Sequence, residues 1–236
     1  MSFEIGKTLG TNEPNFSIEY LSRPVFGHRV IKTFTIKDKI SLAYVLGVLK
    51  GDGCLANRKR SHYFIDLQVK DKDFAKNFAE ALSKVLNENV TFKTLRRSTI
   101  RGIFDGYEVC KGHKGFYLWY KRHESNTISI IESLGPRAIS LFLRGFFDSE
   151  GSPQKCTASI RLYNKDIPLL ESIQRLLLKY FQIPSKILSY SHTHPFLVIY
   201  GWRSFKHFSE HIGFSIERKQ KRLNLLVAQV RRQSYE

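Results

Sequence analysis

Cysteine is scarce in this chain, and its placement excludes two classes of protein. Cys54, Cys110 and Cys156 are odd in number and widely spaced, so they form neither an even disulfide framework nor a Cys-x-x-Cys zinc pattern. They read as three reduced thiols of an intracellular protein, cytoplasmic or organellar. No apolar run reaches the roughly 18 residues that a membrane-crossing helix needs. The opening stretch, MSFEIGKTLGTNEPN, lacks the basic-then-apolar layout of a secretion signal. Acid is also in short supply: 21 Asp plus Glu stand against 38 Lys plus Arg, a formal charge of +17. An excess of that size makes a compact chain repel itself unless a polyanion is its usual partner. Nucleic acid is the economical partner, with an anionic membrane surface as the alternative.

What the chain does have is material for a core. Hydrophobic residues make up 42% and aromatics 13%, which excludes global disorder. At 236 residues it is one large domain or two small ones packed together. Eight histidines are scattered; His192 and His194 alternate in an expected hairpin turn and read as surface or phosphate-contacting groups, with no acid or cysteine beside them to complete a metal site.

Two distant segments repeat one pattern: Val45-Leu46-Gly47-Val48-Leu49-Lys50-Gly51-Asp52-Gly53 and Leu143-Arg144-Gly145-Phe146-Phe147-Asp148-Ser149-Glu150-Gly151. Each is an apolar helical run with small residues one turn apart, Gly47/Gly51 and Gly145/Ser149, then an acid and a glycine. Small residues at i and i+4 share a helix face and let two backbones approach closely. The glycine after the acid suits a C′ position, which predicts the acid in the last helical turn. The helix dipole places partial negative charge there, so a carboxylate repeated at that position implies a compensating cation, a divalent metal being the obvious candidate.

These segments, LGVLKGDG and LRGFFDSEG, resemble the motif of the LAGLIDADG homing endonucleases, and the two copies resemble the single-chain, two-repeat form. The first copy departs by carrying Lys50 where the second has Asp148. The resemblance implies an α+β fold of two pseudo-symmetric αββαββα repeats. In it the motif helices pack at the centre, and the antiparallel sheets form a saddle over DNA. It also implies that Asp52 and Glu150 coordinate metal, each at one scissile phosphate.

The rest of the chain supports two repeats. His62 to Lys70 alternates as a half-buried strand, with Tyr63, Ile65, Leu67 and Val69 on one face. Asp73 to Leu86 has helical spacing, Val90 to Arg97 is rich in β-formers, and Phe116 to Lys121 is expected as a further strand before a helix ending at Gly135. In the second half Ser159 to Tyr163 is a strand, Ile167 to Phe181 a helix, and Lys186 to Ser191 with Phe196 to Trp202 a hairpin. Phe116–Tyr120 echoes Phe196–Tyr200, and Glu132–Gly135 echoes Glu210–Gly213. The expected division is an extension over 1–38, a first repeat over 39–135 and a second over 136–236, joined near Gly135-Pro136. The extension carries Arg23, His28, Arg29 and Lys32, and is expected as a tail or as an arm touching DNA.

Hard oxygen ligands such as Asp52 and Glu150, joined by backbone carbonyls of Gly51 and Ser149, suit Mg²⁺, with Mn²⁺ as a substitute. By motif position the resemblance implies basic residues beside the metals, Lys219 in the second half and Arg137 as its counterpart, and water-positioning residues at Asp71 and Asn164. Outward strand residues expected to touch DNA are Gln68, Lys70, Lys93, Arg96, Arg97, Lys121, Arg122, Arg161, Tyr163, Lys186, Tyr190, Trp202 and Arg203. A β-ribbon in the major groove can offer Arg to guanine and Gln to adenine, while most such residues meet phosphate.

The function implied is site-specific double-strand cleavage of DNA that leaves 3′ overhangs and mobilises an intron. It would be carried out by a monomer that needs neither a protein partner nor a membrane. Two other readings stand beside it: an RNA-binding intron maturase of the same fold, and a catalytically silent DNA-binding protein.

Overall fold

The computed structural model describes residues 15–22, 30–58, 62–100, 102–190 and 194–233. Arg23, His28, Arg29 and His192 from the expectations above lie outside these residues. A two-stranded ribbon opens the fold, β1 (Ser17–Leu21) and β2 (Ile31–Thr35). The first repeat follows as α1 (Lys39–Leu49), β3 (Cys54–Arg58), β4 (His62–Val69), α2 (Lys72–Leu86), β5 (Phe92–Thr99), β6 (Gly102–Gly112), α3 (Lys114–His123) and α4 (Thr127–Ser133). The second runs α5 (Pro136–Glu150), β7 (Gly151–Gln154), β8 (Ser159–Tyr163), α6 (Ile167–Phe181), β9 (Lys186–Tyr190), β10 (His194–Tyr200), α7 (Trp202–His211) and α8 (Glu217–Gln233).

Each repeat builds one four-stranded antiparallel sheet, and the two share one topology: β3-β4-β6-β5 and β7-β8-β10-β9. The α+β fold of two αββαββα repeats is therefore present. A signature that no residue type announces supports it. The helix after the first hairpin ends in a left-handed residue in both repeats, Asn87 at φ 52° and Gln182 at φ 55°. The echo of Glu132–Gly135 in Glu210–Gly213 is structural as well, since Gly135 (φ 86°) and Gly213 (φ 61°) both turn the chain out of a helix with positive φ.

The motif helices form the centre. Every residue of α1 from Leu42 to Leu49 is buried, the condition of a helix that is apolar on all sides. Asp38 starts it, accepting the Ser41 N–H at 2.8 Å. Amphipathic helices cover the inner faces of the sheets, α2 through Phe74, Phe78, Leu82 and Val85 and α6 through Leu170, Ile173, Leu176 and Leu177.

One predicted strand is a helix. Phe116 to Lys121 lies in α3, because His113 caps it by accepting the Phe116 N–H (2.9 Å), and Phe116, Trp119 and Tyr120 fall on one buried helical face. The real strand, β6, lies earlier, so the echo of Phe116–Tyr120 in Phe196–Tyr200 is one of composition only. Among the described residues before the first repeat, β1 and β2 form the ribbon, and this part of the chain packs on α3: Trp119 Nε1 donates to Asn15 O at 2.8 Å and Lys114 Nζ to Leu21 O at 2.6 Å.

Candidate active site and nucleic-acid interface

The small residues of the motifs bring α1 and α5 backbone to backbone. A Cβ on Gly47 would lie 2.1 Å from Phe142 O, and one on Gly145 would lie 2.5 Å from Tyr44 O. At the helix ends a Cβ on Gly51 would lie 2.3 Å from Ser149 Cβ and 3.3 Å from Glu150 Cγ. These contacts advance together along both helices, so the two run in the same direction and finish at one point. That point carries Asp52 and Glu150.

The two acids reach it differently. Glu150 is the last residue of α5, as expected. Asp52 lies beyond α1, in a turn in which the N–H groups of Gly51 and Gly53 both donate to Val48 O, at 3.0 and 2.9 Å. The following glycines are not left-handed C′ residues; Gly151 is extended (φ −84°, ψ 145°). They are small because the chain folds back over the helix end. A Cβ on Gly151 would lie 2.5 Å from Phe147 O, and one on Gly53 3.1 Å from Val48 O.

Lys219, in the first turn of α8, is buried and donates through Nζ to Asp148 O (2.5 Å) and Phe147 O (3.4 Å). Its ammonium therefore caps the C-terminal carbonyls of α5 and supplies part of the positive charge that the misplaced acids require. Burial lowers its pKa to about 8, against the pull of Asp148 and Asp52. Burial, then the neighbouring Asp52, raises the Glu150 carboxyl to about 7, with Lys219 opposing. Asp52 is raised by desolvation and lowered by Lys219, although its side chain remains accessible. Asp52, Glu150 and Asp148 all draw on one ammonium, and the surplus negative charge on hard oxygen donors suits a hard divalent cation. Among the described residues no group of three or more His, Cys, Asp or Glu side chains makes a metal cage by itself, so a metal here would draw its remaining ligands from backbone, water or phosphate.

Sequence reasoning passed over the function of Asp148. It is buried, and its carboxylate accepts from Tyr44 Oη (3.0 Å), Ser215 N (2.9 Å) and Ser215 Oγ (2.5 Å). It thereby pins α1, α5 and the approach to α8 together, while desolvation raises its pKa to about 6. Lys50, at the matching place in the first motif, turns away and donates to Glu124 O at 3.1 Å. That difference was the readable signal.

The remaining candidates divide. Asn164 lines a cleft of ≈ 430 Å³ with Glu150, Tyr163, Lys165 and Pro195. Lys165 was missed, although Lys165-Asp166 before α6 mirrors Lys70-Asp71 before α2, each Asp standing at the helix N-cap. Asp71 is held bidentately by Arg218 at 2.6 and 2.7 Å, while Asp73 accepts the Glu217 N–H at 2.6 Å. These contacts clamp the start of α8 onto the first repeat and bring in Lys219. Arg137 is displaced from the site. It stands in the first turn of α5, roughly 20 Å of helix from Glu150 at ~1.5 Å per residue, and lines a different cleft with Asp38 and Tyr44. No counterpart of Lys219 arises there, because Gly135 leads directly into the second motif helix.

On the sheet faces away from the helices, Gln68, Lys93 and Arg97 share one side of the first sheet and Arg161, Tyr163 and Lys186 one side of the second. Lys70 follows directly on β4 and is exposed. Arg96 points to the opposite face from Lys93, one residue out of phase. Lys121 and Arg122 close α3, where Lys121 pairs with Glu124 at 2.8 Å, and Trp202 and Arg203 open α7; none of the four is on a strand. Tyr190 ends β9, and its side chain lies outside what the structure describes.

Residues 137–213 match the profile of the LAGLIDADG-like domain. An uncharacterized protein of Methanocaldococcus jannaschii is 37% identical over 51% of this chain and 44% of its own length, so the chain spans less than half of that relative. A second from the same organism is 29% identical over 83% of this chain and 74% of its own length. A probable translation initiation factor IF-2 of Thermococcus kodakarensis is 30% identical over 80% of this chain but only 16% of its own length. Among solved structures, the homing endonuclease I-DmoI in complex with DNA and Ca superposes with a TM-score of 0.58 at 22% identity, covering 79% of this chain and 97% of that one. The homing endonuclease I-WcaI bound to its DNA recognition sequence gives 0.59 at 16% identity, covering 79% and 88%. At these identities the likeness is one of fold.

Proposed function

For a chain that carries a LAGLIDADG-like domain within the two-repeat fold of the homing endonucleases, we propose site-specific hydrolysis of both strands of a long DNA target. The reaction would be dependent on Mg²⁺ or Mn²⁺, leave 3′ overhangs and promote the mobility of its own coding intron. One chain supplies both repeats, so we read it as an intracellular monomer that needs no protein partner. Among the described residues no helix is long and apolar enough to cross a membrane.

A single observation carries this reading: the abutting ends of α1 and α5 bring Asp52 and Glu150 together with Lys219. Their carboxylates, with the nearby carbonyls of Gly51 and Ser149, form an oxygen-rich donor set that would hold the metal. When bound, Mg²⁺ would neutralise phosphate charge and favour hydroxide over water. The residues of the chain do the rest. Lys219 would stabilise charge that develops on the phosphate. Asn164, which lines one cleft with Glu150, would orient water. The +17 charge draws the duplex to the sheets.

The test is incubation of the chain with a randomised duplex library and Mg²⁺, followed by mapping of ends. Recurrent paired ends are expected from the native chain and none from Asp52→Asn or Glu150→Gln, each of which should still bind DNA. Either variant cutting at the native rate would remove these acids from the mechanism. Sequence-selective binding without cleavage by the native chain would leave the silent DNA-binding reading in its place.

A further inference from the structure

The open faces of the two sheets both carry basic residues but differ in acid, which only the first presents at Glu108. On β4 and β6 the cross-strand pair Gln68–Glu108 faces away from the core, and Glu108 pairs in turn with Lys93 on β5. The alternate residues Leu67, Val69 and Val109 are buried on the other side. Glu108 holds both of its neighbours: Gln68 Nε2 donates to Oε1 at 2.9 Å, and Lys93 Nζ lies 2.9 Å from Oε2. The sequences of β7, β8, β9 and β10 contain no Asp or Glu at all. On that sheet Arg161 and Lys186 both lie across from Val198, and the Arg161 guanidinium sits 5.4 Å over the Phe196 ring.

A carboxylate facing a polyanion is unfavourable unless it meets donors. An ionised carboxylate can only accept, so the Gln68 amide must turn its NH₂ to Glu108 and its carbonyl Oε1 outward. One of the two N–H groups of that NH₂ is spent on Glu108, which fixes the orientation of the amide and leaves Oε1 with a single N–H for a base edge. What Gln68 then turns outward is acceptor oxygen, beside the Lys93 ammonium that Glu108 also holds. In the major groove the matching donors are the exocyclic amines of cytosine and adenine, whereas guanine offers acceptors. Arg161, a donor stacked on an aromatic ring, has the reverse preference and fits guanine O6 and N7.

Resting on the reading of the sheets as a DNA-binding surface, we propose that Glu108 is a specificity-determining residue. Through Gln68 it makes the first sheet select amine-bearing base edges, while Arg161 makes the second select guanine, so the two halves of the target are read with opposite hydrogen-bonding polarity.

The experiment selects bound duplexes from a randomised library with the full chain and, in parallel, with Glu108→Gln and Arg161→Ala. Glu108→Gln is expected to change base preference in one half-site only, by about 5- to 150-fold at the contacted position, leaving the other half as in the native chain. Arg161→Ala is expected to relax a guanine preference in the opposite half. Should Glu108→Gln fail to fold, Gln68→Ala addresses the same position and should relax the same base pairs. Native preferences in the Glu108→Gln selection, or changes spread over both halves, would overturn the proposal. A native chain that enriches no sequence would overturn the DNA-reading premise itself, and this proposal with it.

Discussion

Replacing Gly47 by Ala puts two effects of opposite sign into one methyl group. Gly47 has helical backbone geometry, so alanine there gains about 1 kcal/mol of helix propensity. Its Cβ, however, would lie 2.1 Å from Phe142 O, 2.9 Å from Phe146 N and 3.0 Å from Phe142 C. All three are backbone atoms of the partner helix and cannot rotate aside, so α1 and α5 must separate by more than an ångström along a buried seam. Overpacking of a core costs typically 1–3 kcal/mol, and an unyielding backbone obstacle belongs at about 3. The expected balance is a loss of about 2 kcal/mol, or roughly 4–8 °C in Tm for a chain of this size. The control is Gly112→Ala, where the new methyl would meet nothing closer than 3.7 Å; it should change stability by less than about 1 kcal/mol. Urea denaturation followed by circular dichroism measures both. Because Asp52 and Glu150 sit at the ends of the separated helices, Gly47→Ala should also lose cleavage at temperatures where it is still folded. A Gly47→Ala protein as stable and as active as the native chain would refute the close-approach argument.

Lys219→Met should slow single-turnover cleavage at saturating protein by about 10²-fold, with little change in affinity. Lys93→Ala should leave that rate unchanged while weakening binding and reducing the salt slope by about one. Affinity of the native chain for its selected duplex should fall ~10³–10⁵ between roughly 50 and 200 mM salt if about 6–10 phosphates are contacted; a flat titration would contradict a polyanion partner. Glu132, gripped by Arg175, Lys179 and Tyr180, has its pKa lowered from 4.5 to about 2, chiefly by the Arg175 hydrogen bond. Its folded pKa is depressed, so its contribution is full above 4.5 and is lost as pH falls toward 2. Glu132→Gln should therefore be less stable by about 1 kcal/mol at neutral pH, a modest figure because its cationic partners are half exposed. The gap should close across that acid window in urea titrations.

Much of this molecule was present in residue order. The paired motifs, their small residues and their acids led to two helices in close contact. Alternation in His62–Lys70 and helical spacing in Ile167–Phe181 placed β4 and α6 to within a residue or so, because half-buried elements write their periodicity into the chain. Local chemistry failed where one local signal overrode another. GFYLWY has the aromatic content of a strand, yet the cap at His113 and a buried 3–4 spacing make it α3. Only tertiary structure decided the rest, since it depended on contacts between residues remote in sequence. Lys219 belongs at the acids because Asp71 and Asp73 clamp α8, and Arg137 does not because a helix separates its two ends. Asp148 became the pin between repeats because Tyr44 and Ser215 converge on it. Glu108 governs Gln68 because strand register sets them side by side. Periodicity along one element is a property of the sequence, whereas the partner across a gap is a property of the fold.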